Sequence, residues 1–141
     1  MSSGSPERDC VFCERLAGRD FWIPVTESEH SVGAIANHQR TPGSLIIVPR
    51  RHILTIAELG TEEYLDLWRM IFRLVAAVER AYEPDGMYVW QGGRIPLPHI
   101  HARISPRFAD RPYTFVPNSE LRMTPLSERE EIARRLSAAL T

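Results

Sequence analysis

The sequence predicts an α+β domain with a mainly antiparallel sheet, and three observations carry that prediction. Residues 44–49, Ser-Leu-Ile-Ile-Val-Pro, form a short continuous apolar run bounded by turn residues, the pattern of a buried strand. Residues 61–82 carry Leu65, Trp68, Ile71, Phe72, Val75, Val78 and Tyr82 at helical spacing, with Pro84 just beyond, which predicts one long helix. Residues 98–107, Pro-His-Ile-His-Ala-Arg-Ile-Ser-Pro-Arg, alternate polar with apolar side chains. In a strand this places His99, His101, Arg103 and Ser105 on one face and Ile100, Ala102 and Ile104 on the other. Strands joined in hairpins around a single long helix segregate into a sheet and its cover.

The remaining elements follow in chain order. Residues 10–19 predict a turn and a short helix that Gly18 ends. Thr26-Glu27-Ser28-Glu29 reads as a polar turn, and residues 31–36 as a strand of small and branched side chains. Thr61 is a suitable N-cap for the long helix, and Glu62 and Glu63 in its first turn suit the helix dipole. The helix should lie across the sheet, with its aromatic residues in the core. Asp85-Gly86 turns the chain into a strand over residues 87–91. The loop Gly92-Gly93-Arg94-Ile95-Pro96-Leu97-Pro98 then returns it to the histidine strand as an antiparallel neighbour. Beyond Phe108 a proline-rich stretch leads to Ser127-Glu128-Arg129-Glu130, a capping-box signature for a final helix with Ile132, Leu136 and Leu140 on one side.

Composition narrows the function classes. At 141 residues with 43% hydrophobic content, one domain with a sizeable core is expected. A formal charge of −1 exerts no general pull toward nucleic acid or anionic membrane, so anion recognition must be local. No apolar run approaches the roughly 20 residues that span a bilayer. Residues 1–9 lack a signal-peptide pattern and read as a flexible lead-in. A cytoplasmic protein is the expectation.

Two imidazoles and a guanidinium on one strand face suit an anion better than an apolar partner, because buried polar groups need partners. His101 is a candidate nucleophile toward phosphorus, provided one ring nitrogen keeps its lone pair. Arg103 would keep that imidazole neutral and would offer a planar fork to phosphate oxygens. On residue types alone, two surface histidines on a strand is the commoner reading. Cys10 and Cys13 are the chain's two cysteines, spaced Cys-x-x-Cys. In a reducing compartment that spacing favours a metal half-site over a disulfide, with redox chemistry and plain small residues as alternatives. His52 and His99, each at a strand edge, would complete a tetrahedral Cys2His2 set. Gly92-Gly93-Arg94 and Arg50-Arg51 are weaker phosphate-site candidates.

Three blocks together resemble the histidine-triad (HIT) family, in the superfamily that includes galactose-1-phosphate uridylyltransferase. They are Cys10-Val11-Phe12-Cys13, residues 41–52 (TPGSLIIVPRRH) and residues 99–107 (HIHARISPR), and the match covers about residues 10–108. The resemblance implies a HIT-like fold, a sheet of about five strands covered by one long helix, with residues 109–141 as an extension bearing a C-terminal helix. Aligned on the Ile104-Ser105-Pro106-Arg107 ending, His99 is first in the His-φ-His-φ-His-φ-φ pattern and His101 is the middle histidine that forms a nucleotidyl intermediate. Arg103 stands where the third histidine would be. That register makes Cys10, Cys13, His52 and His99 the ligands of a structural zinc. A register with Leu97 first and His99 in the middle loses the fourth ligand and fits the ending less well.

Three departures from the family pattern matter. Arg103 stays protonated, so it can neutralise phosphate charge but cannot act as a general acid. The Gln-Ser pair before the histidines is replaced by Ile95-Pro96, and prolines lack N–H donors. The acidic ribose-binding residue falls near Ala36-Asn37.

The resemblance therefore implies a nucleotide hydrolase or nucleotidyltransferase acting at the α-phosphorus of a nucleoside phosphate ester, anhydride or phosphoramidate. His101 and Arg103 would be its catalytic residues, and Asn37, Gln91 and Ser105 its substrate contacts. A homodimer is implied, with no nucleic-acid or membrane partner. A zinc-stabilised binding module without turnover and a Cys10–Cys13 redox protein are the rival expectations.

Overall fold

The computed structural model describes residues 9–94, 97–113 and 115–140. The predicted lead-in up to Glu7-Arg8, and the Ile95-Pro96 substitution, lie outside the described residues. The elements run α1 (Val11–Leu16), β1 (Pro24–Glu27), β2 (Ser31–Ile35), β3 (Leu45–Pro49), a 3-10 turn (Ile56–Glu58), α2 (Thr61–Tyr82), β4 (Gly86–Gly92), β5 (His101–Arg107), a second 3-10 turn (Asn118–Glu120) and α3 (Leu126–Ala139). The five strands form one sheet in the order β1-β2-β3-β5-β4, with every neighbouring pair antiparallel. The expected α+β class holds.

Register divides the sheet into two faces. Ile46, Arg103 and Trp90 stand opposite one another across β3, β5 and β4, and so share a face. Leu45, Ile104 and Val89 do the same on the other side. The second face is the main core, where Ile35, Leu45, Ile47, Ala102 and Ile104 pack against Leu67, Met70, Leu74 and Val78 of α2 and Ile132 and Leu136 of α3. Gly33 lets α2 approach, since a Cβ there would sit 2.5 Å from Leu74 Cδ1. The first face carries a smaller cluster in which Cys10 and Phe12 of the α1 segment cover Ala34, Ile46 and Val48.

Several expectations are corrected. Thr26 and Glu27 belong to β1 rather than to a turn, because they pair with Gly33 and Val32. The α2 N-cap is Gly60, not Thr61, and Glu63 reaches back so that its carboxylate accepts the Gly60 N–H at 2.9 Å. The α3 helix opens at Leu126 behind Pro125, and Ser127 does not cap it. The buried stripe of α2 is Leu67, Met70, Ile71, Leu74, Ala77 and Val78, whereas Trp68 is 40% and Phe72 75% exposed. The helix is apolar over more than one stripe, and the sheet takes only one of them. Finally, β5 begins at His101, so His99 lies in a bend just before the strand, its N–H donating to the Leu97 carbonyl at 2.9 Å.

Candidate nucleotide-phosphate and metal site

The end of β3, the start of α1 and the bend before β5 converge on four side chains. One ligand atom from each of Cys10, Cys13, His52 and His99 lies within 4.8 Å of all the others. Cys10 Sγ is 3.3 Å and Cys13 Sγ 3.5 Å from His99 Nδ1, and Cys13 Sγ is 3.3 Å from His52 Nδ1. Around a tetrahedral zinc with ordinary bond lengths, sulfur and nitrogen ligands stand about 3.5 Å apart. The donor set therefore fits zinc in both chemistry and spacing. The sulfurs are not disulfide bonded.

The outer partners fit as well. His99 Nε2 lies 2.8 Å from the Pro49 carbonyl oxygen, which can only accept. Nε2 thus carries the proton, and Nδ1 keeps its lone pair toward the sulfurs, the arrangement that orients a metal-binding histidine. Burial, the largest influence, pushes the His99 imidazolium pKa down to about 4, so the ring is neutral as a ligand must be. His52 presents its Nδ1, while its Nε2 is buried with no hydrogen-bond partner among the described residues. The four ligand atoms bring the α1 segment, the end of β3 and the approach to β5 to one point.

Two residues on, His101 is 3% exposed on the first face. Its Nδ1 is 2.8 Å from the His99 carbonyl oxygen, so Nδ1 bears the proton and Nε2 keeps its lone pair. Burial lowers its pKa, with the Arg103 charge acting in the same direction and the carbonyl hydrogen bond opposing it. The ring is flanked by Phe12 at 5.2 Å and Trp90 at 6.0 Å between centroids. Gly92 stands directly opposite in β4, where a Cβ would press on the His101 ring at 3.4 Å.

Arg103 is the unusual member. Its side chain is 9% exposed, yet it makes no hydrogen bond or ion pair among the described residues. Its guanidinium instead lies over Trp90, with Cζ 5.5 Å from the ring centroid. Burial, and then the nearby Arg40 charge, push its pKa down to about 10, which still leaves it protonated at neutral pH. A buried cation without an acid partner is costly unless something else supplies the anion.

Arg103 separates two cavities. One, of about 590 Å³, is bordered by Trp90, Gly92, His101, Arg103, Arg40 and Asn118. The other, of about 180 Å³, lies among Phe12, Arg15, Ala36, Asn37, His38 and Ile46. His101 and Arg103 therefore both border the larger cavity, and Arg103 borders the smaller one as well.

The expected contact residues fare unevenly. Ser105 is buried on the same face, 3.4 Å from Ser44 Oγ, and borders neither cavity. Asn37 borders the smaller cavity, but its Oδ1 accepts a hydrogen bond from Arg129 Nη1 at 3.1 Å. Gln91 stands opposite Ala102, so its side chain belongs to the helix-side face, and the residue meets the larger cavity only along the edge of the sheet. Arg40, Trp90 and Asn118 escaped the sequence reading. Trp90 shares the Arg103 register and could have been found by counting across the hairpin. Asn118 sits in the irregular C-terminal stretch, where no periodic signal exists; there Arg40 Nη2 donates to its Oδ1 at 3.0 Å.

No protein-family model matches the chain. An uncharacterized HIT-like protein of Saccharolobus solfataricus is 27% identical over 119 residues, covering 79% of this chain and 85% of the relative. A bis(5'-adenosyl)-triphosphatase of Dictyostelium discoideum is 31% identical over 70 residues, 47% of each chain. Among solved structures, a HIT-like protein from Bartonella henselae superposes with a TM-score of 0.83 at 23% identity, covering 94% of this chain and 97% of that one. A zinc-bound histidine triad family protein from Mycobacterium smegmatis gives 0.79 at 24% identity, covering 95% and 94%. The chain has the HIT-like fold, and its sequence relatives and structural neighbours support a place in the HIT-like superfamily.

Proposed function

We propose that this chain is a nucleotide hydrolase or nucleotidyltransferase of the histidine-triad type, acting at the α-phosphorus of a nucleoside phosphate ester, anhydride or phosphoramidate. The observation that carries the reading is the His101–Arg103 pair: an imidazole with its lone pair at Nε2, beside a buried guanidinium with no acid partner among the described residues, both bordering one cleft. The Nε2 lone pair forms a bond to phosphorus as the bond to the leaving group breaks, and the leaving group departs with that electron pair. Water or an acceptor phosphate then displaces His101 and releases the nucleotide. Arg103 bears the charge on the phosphoryl oxygens throughout. It does not donate a proton at neutral pH, so leaving groups that are stable as anions are favoured.

Cys10, Cys13, His52 and His99 would hold zinc, whose contribution is structural: it fixes the bend whose His99 carbonyl sets the His101 tautomer. Asn37 and His38 border the smaller cavity, which suits the nucleoside. The Arg129 hydrogen bond makes Asn37 Oδ1 a shared acceptor, so its amide is the group left for a ribose hydroxyl.

Arg103 in place of a third histidine also motivates a second reading, a zinc-stabilised nucleotide-binding module without turnover. Calorimetric titration and product analysis over one panel of nucleotide anhydrides, esters and phosphoramidates separate the two. The enzyme reading predicts binding with release of nucleoside monophosphate from at least one substrate. Binding with no product from any of them establishes the module instead.

A further inference from the structure

Beyond the cleft that borders His101 lies a third cavity, of about 350 Å³, and the two share Trp90 and Arg40. Its walls are aromatic. Tyr88 and Trp90 project from β4 on the same face as Ser105 and Arg103, and Tyr113 and Phe115 come from the segment after β5. The Tyr88 and Tyr113 rings meet edge to face at 5.0 Å and 84°, and Tyr113 meets Phe115 at 4.8 Å and 62°. Arg107 braces the group, its Cζ 5.1 Å from both tyrosine centroids and its Nη1 donating to Tyr88 Oη at 2.6 Å. Phe115 is nonetheless 75% and Trp90 42% exposed. Rings that only anchored the C-terminal segment would bury more of that area.

The order of these spaces along the sheet is informative. The small cavity near Asn37 comes first, then the Arg103 guanidinium and His101, then Arg40 and Trp90, and then the aromatic walls. Positive charge sits in the middle and ring-binding surface at the far end. Resting on the nucleotide-phosphate reading above, we infer that Tyr88, Trp90, Tyr113 and Phe115 form a leaving-group subsite, selective for a planar aromatic group attached to the phosphate. The reaction it serves balances without a protein acid. His101 Nε2 forms the N–P bond, the P–O bond to the aromatic group breaks, and that oxygen leaves with the electron pair as an aryloxide. After release it takes a proton from water when its basicity requires one.

The test compares esters of equal charge. Methyl, cyclohexyl and naphthyl esters of a purine and of a pyrimidine nucleoside 5′-monophosphate are titrated into the full chain by calorimetry. The same titrations are made on Phe115→Ala and on Phe115→Leu, which keeps apolar area without a ring. The readout is the naphthyl-to-cyclohexyl affinity ratio within each protein, which cancels any general damage to the phosphate site. The wild type is expected to prefer naphthyl by about fivefold or more, and the ratio should fall toward one in both variants. Equal affinity of wild type for the two bulky esters, or a ratio untouched by both variants, overturns the subsite while leaving the nucleotide reading intact. Failure of all three esters to bind on either nucleoside, methyl included, overturns the nucleotide reading and the subsite with it.

Discussion

At the residue scale, the site turns on two protons and one charge that has no acid partner among the described residues. The His99 carbonyl takes the Nδ1 proton of His101, the Pro49 carbonyl takes the Nε2 proton of His99, and each ring is left with its lone pair facing the chemistry assigned to it. Neither tautomer was legible in the sequence, because each depends on a backbone carbonyl rather than on a side chain. The alternation of residues 99–107 did place His101, Arg103 and Ser105 on one face. It overreached at His99, where the chain bends toward the cysteines; separately, Gln91, expected as a substrate contact, has the opposite parity to Trp90 in β4. Arg103 supplies the prediction at this scale. Its burial without an acid costs stability that a bound anion offsets, so Arg103→Met is expected to hold or raise the melting temperature. The same variant should lose about 100-fold in kcat/KM. Thermal scans beside initial rates check both numbers. A large fall in melting temperature would show that Arg103 is structural.

At the scale of elements, the Cys-x-x-Cys turn, the end of β3 and the bend before β5 are separated by long stretches of chain and meet at four ligand atoms. Residue types and the family resemblance made that set legible; spacing alone could not, since the two histidines are remote from the cysteines. The candidate metal cluster adjoins His101 through Phe12, a residue of the same short helix that lies against both His99 and His101. Purified protein is expected to carry one zinc per chain by elemental analysis. Stripping it with a chelator should lower the melting temperature by about 10 °C or more, with zinc restoring it. The strand and helix cores were read well, because burial on both faces of β2 and β3 leaves continuous apolar runs. The helix caps were read less well: Gly60 offers no side chain to recognise, and Glu63 does the capping from inside the helix.

At the scale of the molecule, part of the apolar surface left over runs along α2 and the sheet edge. Leu65, Trp68 and Phe72 of α2 and Val89 of the edge strand β4 remain exposed. Helical periodicity flagged the α2 residues as core, and a helix with two apolar stripes gives no sign in sequence of which one the sheet will take. A second copy covering the outer stripe, with β4 strands pairing edge to edge, would account for both features. Light scattering is expected to give a dimer for the wild type and a monomer for Phe72→Glu. A monomeric wild type at micromolar concentration would count against it. The segment after β5 is the other molecular feature that periodicity missed. It returns across the first face, brings Asn118 to the cleft through Arg40, and ties Thr124 and Arg129 to the Asn37 loop. The cleft beside His101 and Arg103 is thus walled in part by residues beyond the three sequence blocks that carry the resemblance.

The central claim, that His101 Nε2 attacks phosphorus, is tested most directly by trapping the bond it forms. Protein quenched during turnover under alkaline denaturing conditions, where a phosphorus–nitrogen bond survives, is analysed by intact mass and peptide mapping. A nucleoside monophosphate adduct on His101, discharged by mild acid and absent from His101→Ala, is the predicted result. An equal adduct on His101→Ala, or one mapped to another residue, would contradict the account.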